Sequence, residues 1–243
     1  SKIAFNENQM SVGVSYVPWL RNLVDDVFAG NVSVINRFGE KAAWGADIKY
    51  FSLGEIVLTD DQGISGGSIN PSEISISGYY SMKLSENFSM GIGLKYINSN
   101  LDINTENSSL KPINSFAVDI SGYYQSREEN YGSFNGRYRL GFNLANIGPK
   151  VEYIAGSENF IPANLKLGGG FDFILDDLNN VGLNLEFRKL LVPIDGDSDE
   201  SALSGIATSL GDSDELKEVI WSLGAEYLYN DAFAVRAGYY HES

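Results

Sequence analysis

The stretch Ser72–Asn98, SEISISGYYSMKLSENFSMGIGLKYIN, consists of two alternating runs joined by a short polar turn. In the first run Ile74, Ile76, Tyr80 and Met82 share one phase, and the opposite phase is mostly Ser. Strict alternation places apolar residues on one face of a strand and polar residues on the other. A run of about twelve residues at roughly 3.3 Å each reaches about 40 Å, or about 30 Å when tilted as in membrane barrels. The stretch therefore predicts a hairpin that is long enough to cross a bilayer.

The composition excludes several classes of protein. The chain has 243 residues, including 26 Gly, 14 Tyr and 13 Phe, and it contains no Cys. Its net charge of −15 argues against nucleic acid as a partner. No run of about eighteen apolar residues is present, which excludes helical membrane spans. The chain opens without Met and ends directly after a strand-like run, so we expect it to be the middle of a longer mature protein.

About eleven strand-like runs follow one another along the chain. They are expected near residues 10–17, 29–38, 42–51, 73–84, 87–98, 114–125, 137–147, 164–174, 180–190, 219–229 and 232–242. Tight turns rich in Gly, Asn and Asp alternate with longer connections at 52–72, 99–113, 148–163 and 191–218. In outer-membrane barrels the short turns face the periplasm and the longer loops face outward. The sequence therefore predicts an all-β fold, a transmembrane antiparallel β-barrel in the cell outer membrane with extracellular loops.

Aromatic residues give a second indication of a membrane barrel, because they lie on the apolar phase near both ends of the runs. Near the short turns they are Phe88, Tyr124, Tyr138, Phe173, Tyr229 and Phe233, and near the long connections Tyr96, Phe116, Phe187, Trp221 and Tyr239. Membrane barrels carry such belts at both interfaces, whereas a soluble β-sandwich, the alternative, has no reason to. Charged residues keep to the opposite phase, where we expect them to pair inside the lumen. An odd number of strands would also require at least one strand outside this sequence.

Three short motifs resemble functional sites but lack the surroundings that the chemistry needs. Gly63–Gly67 matches G-x-S-x-G, yet it lies in a Gly/Ser-rich loop, and the only His is His241. Asp195–Glu200 has the Asp spacing of a calcium loop, but Glu200 stands where the EF-hand turn requires Gly. We expect a solvated acidic loop there, with weak cation binding left open. Gly168–Gly170, inside a strand-like run, predicts a kink or close packing. No catalytic residue, cofactor or metal ligand is therefore assigned.

The long connections contain more apolar residues than loops usually do. The candidate partner-binding residues in them are Trp19, Leu20, Arg21, Leu23, Val24, Phe160, Ile161, Leu190 and Leu191. Exposed apolar patches usually mark binding surfaces, but the same residues could pack on one another as a cap over the barrel. The sequence leaves these alternatives open. In the longest connection, residues 201–210 (SALSGIATSL) predict a short helix.

Several stretches of the chain resemble the PorV family. They are YVPWLRNLV at 16–24, KYFSLGE at 49–55, LSENFSMGIGLKYINSNL at 84–101, RLGFNLANIG at 139–148, NFIPANLKLG at 159–168, LLVP at 190–193 and ELKEVIWSLGAEYLYNDAFAVRAGYYHE at 215–242. The resemblance spans nearly the whole chain in order. The parts that diverge more are the connections at 102–113, 126–135 and 195–214.

The resemblance implies an outer-membrane component of the type IX secretion system of Bacteroidetes, with a FadL-like barrel of about fourteen strands. This chain would then be one barrel domain, residues 1–243, without its N-terminal segment and last strands. The implied role is a non-enzymatic shuttle that receives the C-terminal signal domains of cargo at the translocon barrel SprA (also called Sov). It would deliver them to the sortase PorU, and its barrel would contact outer-membrane lipid. The alternatives are a FadL-like channel for hydrophobic solutes and an enzyme that modifies lipopolysaccharide.

Overall fold

The computed structural model describes residues 1–5, 8–19, 21, 24–59, 62–101, 104–105, 108–193, 201–211 and 219–242. Its main sheet contains eleven long antiparallel strands in the order of the chain. The strands are β1 (Met10–Pro18), β2 (Val27–Phe38), β3 (Ala42–Leu53), β4 (Ser72–Lys83), β5 (Phe88–Asn100), β6 (Ile113–Gln125), β7 (Asn135–Ile147), β8 (Asn164–Ile174), β9 (Asn179–Leu190), β10 (Ile220–Tyr229) and β11 (Phe233–His241). All eleven predicted strands are confirmed, and their ends differ from the prediction by at most two residues.

The sheet is inverted relative to that of a soluble protein. Ser77, Ser81 and Ser89, on the polar phase, are no more than 2% exposed. Leu94 and Phe116, on the apolar phase, are 66% and 68% exposed. In a sandwich the apolar face would be buried against a second sheet, so the sandwich alternative is wrong. The all-β, barrel-type fold is confirmed, although β1 and β11 form two edges and the described sheet is not closed.

Aromatic rings form contacts across neighbouring strands at both ends of the sheet, as predicted. At the end with the long connections, the ring pairs are Tyr16–Phe28, Phe28–Tyr50, Tyr96–Phe116 and Trp221–Tyr239, with centroids 5.2 to 5.8 Å apart. At the end with the short turns they include Phe38–Tyr80 and Tyr124–Tyr138, at 6.2 and 5.6 Å. Such lateral contacts stabilise adjacent strands. We call these two ends the loop end and the turn end.

The turn end is built from residues suited to tight turns. Gly39 has a φ of 65°, and Asn230 and Asp231 both have a φ of 51°. Two successive residues with positive φ are the signature of a type I′ hairpin turn, for which Asn and Asp are favoured. The turn between β8 and β9 is capped by Asp176, whose carboxylate accepts the backbone N–H groups of Leu178 and Asn179, each at 2.8 Å.

The loop end contains small elements that alternation did not predict. Paired strands lie within three of the long connections, at Ile56–Thr59 with Ser65–Ile69, Asn104–Thr105 with Ser108–Ser109, and Val151–Ile154 with Ser157–Asn159. At the turn end, Glu129–Asn130 pairs with the start of β7. The helix predicted within 201–210 is confirmed as α1 (Ala202–Gly211). Among the residues described, neither helix has the length and apolar character needed to span a membrane.

The first residues of the chain lie inside the sheet. A short 3-10 helix, Lys2–Phe5, rests against the inner faces of β2, β3 and β4 near the turn end. The carbonyl oxygen of Ser1 accepts hydrogen bonds from the buried hydroxyls of Ser81 (2.8 Å) and Ser89 (3.0 Å). Ala4 is fully buried. These residues therefore fill part of the lumen. The sequence did not predict this placement, because the segment shows no periodic pattern.

Candidate docking face and lumen

The connection between β1 and β2 presents a Trp at the loop end. The backbone N–H of Trp19 donates to the carbonyl of Val27 at 2.8 Å, which extends the β1–β2 pairing by one bond. Its side chain is nevertheless 59% exposed, and Arg21 and Val24 are exposed as well. The predicted sites Leu20 and Leu23 lie outside the described residues. The described part of this connection thus exposes an indole and a guanidinium at the loop end.

The other candidate residues divide into buried and exposed positions. Ile161 is 7% exposed and packs with Ile113, Ala117 and Val151 in one apolar cluster. Leu191 is fully buried, and its N–H donates to the carbonyl of Ala163 at 2.7 Å. These two side chains are therefore placed to support the loop end from beneath. Leu190, by contrast, is 42% exposed.

Helix α1 packs against this supported region through a glycine. A Cβ at Gly205 would lie 2.7 Å from the ring of Phe160 and 3.2 Å from Pro193. The Phe160 ring also contacts a cation, since the Nζ of Lys150 lies 4.4 Å from the ring centroid. Phe160 is half-buried as a result. Some candidate residues are thus buried at the loop end, whereas others remain exposed there.

Charged residues on the polar phase pair with one another along the lumen wall, as predicted. The ion pairs are Asp47–Lys49 (3.5 Å), Lys95–Asp119 (3.2 Å), Arg137–Asp172 (3.1 Å), Arg139–Asp172 (2.6 Å), Lys166–Glu186 (3.9 Å) and Glu226–Arg236. Most join neighbouring strands, so they follow directly from the register. The lumen wall is therefore polar and largely self-neutralising.

One glycine of the run in β8, Gly170, lies beside one of these pairs. A Cβ at Gly170 would lie 2.7 Å from Oδ1 of Asn184 and 3.1 Å from Nη2 of Arg139. A side chain at position 170 would therefore crowd both the Asn184 amide and the guanidinium of Arg139 that reaches Asp172. The expectation of close packing is confirmed at this position.

A cavity of about 860 Å³ remains in the lumen. It extends from the N-terminal residues Ser1–Ile3 to Asn146 and Asn164 near the loop end, and it is lined by the ion pairs of β3, β5, β6 and β8. Apolar and aromatic residues, among them Ile3, Ile35 and Tyr123, also line it. The cavity wall therefore combines paired charges with apolar side chains.

The motifs that suggested chemistry are not assembled into a site. Ser65 lies in the hairpin after β3, where its Oγ accepts the N–H of Gly67 at 3.5 Å. His241 ends β11, where its ring contacts Trp221 at 5.4 Å. Within the described ranges no group of three His, Asp or Glu could hold a metal ion. The acidic stretch Asp195–Glu200 lies outside the described residues.

Most of the negative charge of the chain lies, by sequence, in five of the connections between the long strands. These connections, 19–26, 54–71, 101–112, 148–163 and 191–219, contain 17 Asp or Glu but only 4 Lys or Arg, and most of these acidic residues lie outside the described residues. Their net charge of −13 compares with −15 for the whole chain. A surface charge of one sign steers oppositely charged partners and speeds their encounter. The sequence indicated this feature only at Asp195–Glu200.

Comparisons with known proteins identify one family. The family model described as "Type IX secretion system protein PorV" matches residues 1–197, which is most of the chain. The matched range includes β1 to β9, the connections that contain Trp19 and Phe160, and Leu191 at the start of the next connection. No curated protein matches the chain in a sequence search.

Proposed function

Because the chain belongs to the PorV family of type IX secretion system proteins, we propose that it acts as a non-enzymatic shuttle for secreted proteins. In this proposal its loop end faces outward from the outer membrane and binds the folded C-terminal signal domain of cargo at the SprA translocon. It then delivers that cargo to the PorU sortase. That the chain is a component of the type IX secretion system follows from the family alone. The steps of binding and delivery are the proposal.

The observation that carries the proposal is the exposed indole of Trp19 beside the exposed Arg21. Trp and Arg are the residues most enriched at binding hot spots, where a buried indole often contributes about 2 kcal/mol or more. Arg can also form a bidentate hydrogen bond with a carboxylate of the partner. Tyr16, three residues earlier, belongs to the aromatic row with Phe28. Trp19 lies beyond that row, off the lipid-facing alternation of β1.

The acidic sequence of the long connections supports a partner with a basic face. Their net charge of −13 would attract such a partner over a distance of about 10 Å, the screening length at moderate salt. This attraction mainly raises the association rate, whereas the apolar contacts determine how long the complex lasts. A shuttle needs both fast capture and later release. The charge would provide the first, and a limited apolar contact area would allow the second.

The two alternatives have less support in the geometry. A channel for hydrophobic solutes would need an open apolar path, whereas the lumen has ion pairs along part of its wall and is partly filled by Ser1–Phe5. A hydrolytic enzyme would need its nucleophile and base within hydrogen-bond reach. Ser65 and His241 instead lie on separate elements with other partners.

The test compares cargo binding by two matched double variants. Trp19→Ala with Arg21→Ala removes the indole and the guanidinium at the loop end. Tyr131→Ala with Arg127→Ala removes an aromatic ring and a guanidinium that are exposed at the turn end. We expect the first variant to bind a purified C-terminal signal domain about 30-fold more weakly, which corresponds to about 2 kcal/mol. The second variant should bind like the unaltered protein.

Insertion into the membrane has to be measured alongside binding. The resistance of the folded barrel to heat and denaturant should be the same in the loop-end variant, because neither side chain faces the lipid. If that variant inserts normally and binds cargo with unchanged affinity, the docking proposal is wrong. If it fails to insert while its folded fraction binds normally, Trp19 is a structural residue of the rim and the proposal is equally wrong.

A further inference from the structure

A bulge in β7 interrupts the regular alternation next to the loop end. The pairing of β6 with β7 shifts by one residue between Val118 and Ile120. Opposite this shift Asn146 has a φ of 60°, one of three non-glycine residues in the described chain with a positive φ. Asn tolerates this conformation better than most residues do. A bulge re-aims a side chain that regular pairing would direct elsewhere.

On the lumen side, Asn146 is fixed by an ion pair. Its backbone N–H donates to Oδ1 of Asp119 at 2.8 Å, and its side-chain oxygen accepts from Nζ of Lys95 at 2.5 Å. Lys95 and Asp119 also contact each other at 3.2 Å, and their side chains are only 14% and 13% exposed. Partly buried charges are stabilised when each is both paired and hydrogen-bonded. The Lys95–Asp119 pair therefore holds both the backbone and the side chain of Asn146.

On the loop side, Asn146 holds the end of the connection 148–163. Its Nδ2 donates to the carbonyl of Pro162 at 3.0 Å, and Nδ2 of Asn164 donates to the same oxygen at 3.1 Å. The adjacent Ile161 is the buried residue that anchors this connection in the apolar cluster. A Cβ at Gly148 would overlap the carbonyl oxygen of Phe116 and lie 2.5 Å from Ile161. Both ends of the connection are therefore held closely against the wall.

We propose that Asn146 is a positioning residue through which the Lys95–Asp119 pair in the lumen holds the connection 148–163 closed over the loop end. The Nζ of Lys95 bonds to Asp119 and to Asn146, and Asn146 in turn bonds to Pro162, so the effect of Lys95 on the connection passes through Asn146. The state of the lumen and the conformation of an outer loop become coupled. This closure does not depend on which partner docks at the loop end.

The absence of Cys from the chain provides a direct probe of closure. Ile161→Cys places a single thiol at a position that is 7% exposed. Its rate of reaction with a maleimide, measured on the full chain in lipid vesicles, reports how often the connection opens. Adding Asn146→Gly keeps the backbone conformation but removes both side-chain bonds, and we expect labelling about tenfold faster. Asn143→Ala, a control on the same strand and the same cavity, should change the rate by less than about twofold.

A double-variant cycle separates positioning from a general loss of structure. Lys95→Met should also accelerate labelling of the thiol at position 161, but it should add nothing once Asn146→Gly is present. Independent structural contributions would instead add. A second probe, Ala43→Cys, lies at a fully buried position near the turn end. Its labelling should stay slow in every variant.

The proposal is overturned by any of three results. Labelling at position 161 could stay slow in Asn146→Gly, which would show that the connection is held by its apolar contacts alone. The effects of Lys95→Met and Asn146→Gly could add fully, which would show that Lys95 does not act through Asn146. Labelling at position 43 could accelerate in parallel, which would show that the whole barrel has loosened.

Discussion

At the scale of single residues, the phase of a side chain along its strand decides its surroundings. The hydroxyls of Ser81 and Ser89 are fully buried and hydrogen-bonded to the chain inside the lumen. Ile92 and Leu94, on the same hairpin, are 52% and 66% exposed. In water this arrangement would be unfavourable, whereas in lipid the exposed apolar side chains are in a matching solvent. The inverted sheet is thus itself an argument for a bilayer around it.

Substitution by Arg on the two faces of β10 should give different costs. Leu223 is 49% exposed on the apolar face, while Ser222 lies on the polar face opposite Glu186. Leu223→Arg should lower the free energy of unfolding by about 2–4 kcal/mol, because a charge on the lipid face is costly away from the interface. Ser222→Arg should cost less, since Glu186 can pair with it.

Urea unfolding in lipid vesicles would measure both variants under one condition. Equal losses of stability would contradict the assignment of the two faces, and a larger loss in Ser222→Arg would reverse it.

The sequence predicted on which face of the sheet a side chain lies better than it predicted the contacts of that side chain. Alternation alone placed Arg139 and Asp172 on the lumen side, where they form a pair at 2.6 Å. It did not predict the bulge at Asn146, because a period of two assumes that the register never shifts. Nor did it separate the buried Ile161 from the exposed Leu190, since both are apolar residues at strand ends. The local sequence pattern thus predicts which face of the sheet a side chain lies on, whereas its contacts and burial depend on three-dimensional packing.

At the scale of elements, the hairpins depend on the residues of their turns. The turn between β8 and β9 is held by Asp176, whose pKa is lowered from 3.8 by the backbone N–H of Leu178 and the side chain of Asn179. A carboxylate with a lowered pKa in the folded state stabilises that state above its unfolded pKa. The contribution is lost as the pH falls through the lower, folded value.

Asp176→Ala should therefore destabilise the barrel at neutral pH and have little effect at about pH 2. The measurement is the urea midpoint of unfolding at both pH values, compared with Asp177→Ala as the control. Asp177 is the adjacent acidic residue in the same turn, so it carries the same charge without the capping bonds of Asp176. A loss of stability in Asp176→Ala that persists unchanged in acid would show that the carboxylate charge is not what stabilises the turn.

Long strands could be predicted from the sequence, whereas short elements could not. The eleven strands show alternation over nine to thirteen residues, which is a strong signal. The hairpin Val151–Asn159 has strands of only four and three residues, too short for a period to be recognised. The N-terminal segment has no period at all, and it is positioned by hydrogen bonds to Ser81 and Ser89 that lie about 80 residues away in sequence.

At the scale of the whole molecule, the two ends of the barrel differ in composition. The turn end has short connections and aromatic clusters, and Ser1–Phe5 lies in the lumen beside it. The loop end has the buried apolar residues Ile161 and Leu191 and the exposed Trp19, and by sequence its five connections have a net charge of −13. A protein that binds its partners on one side of a membrane needs two ends that differ in this way. The family assignment to type IX secretion and this asymmetry together motivate the docking proposal.

The central claim, that cargo docks on the loop end, is tested most directly by site-specific photocrosslinking. A photoreactive phenylalanine analogue would replace Trp19 at the loop end or Tyr131 at the turn end, two aromatic positions that are 59% and 48% exposed. In cells that are secreting cargo, position 19 should crosslink to a C-terminal signal domain and position 131 should not. Crosslinks to cargo from position 131 with none from position 19 would contradict the account.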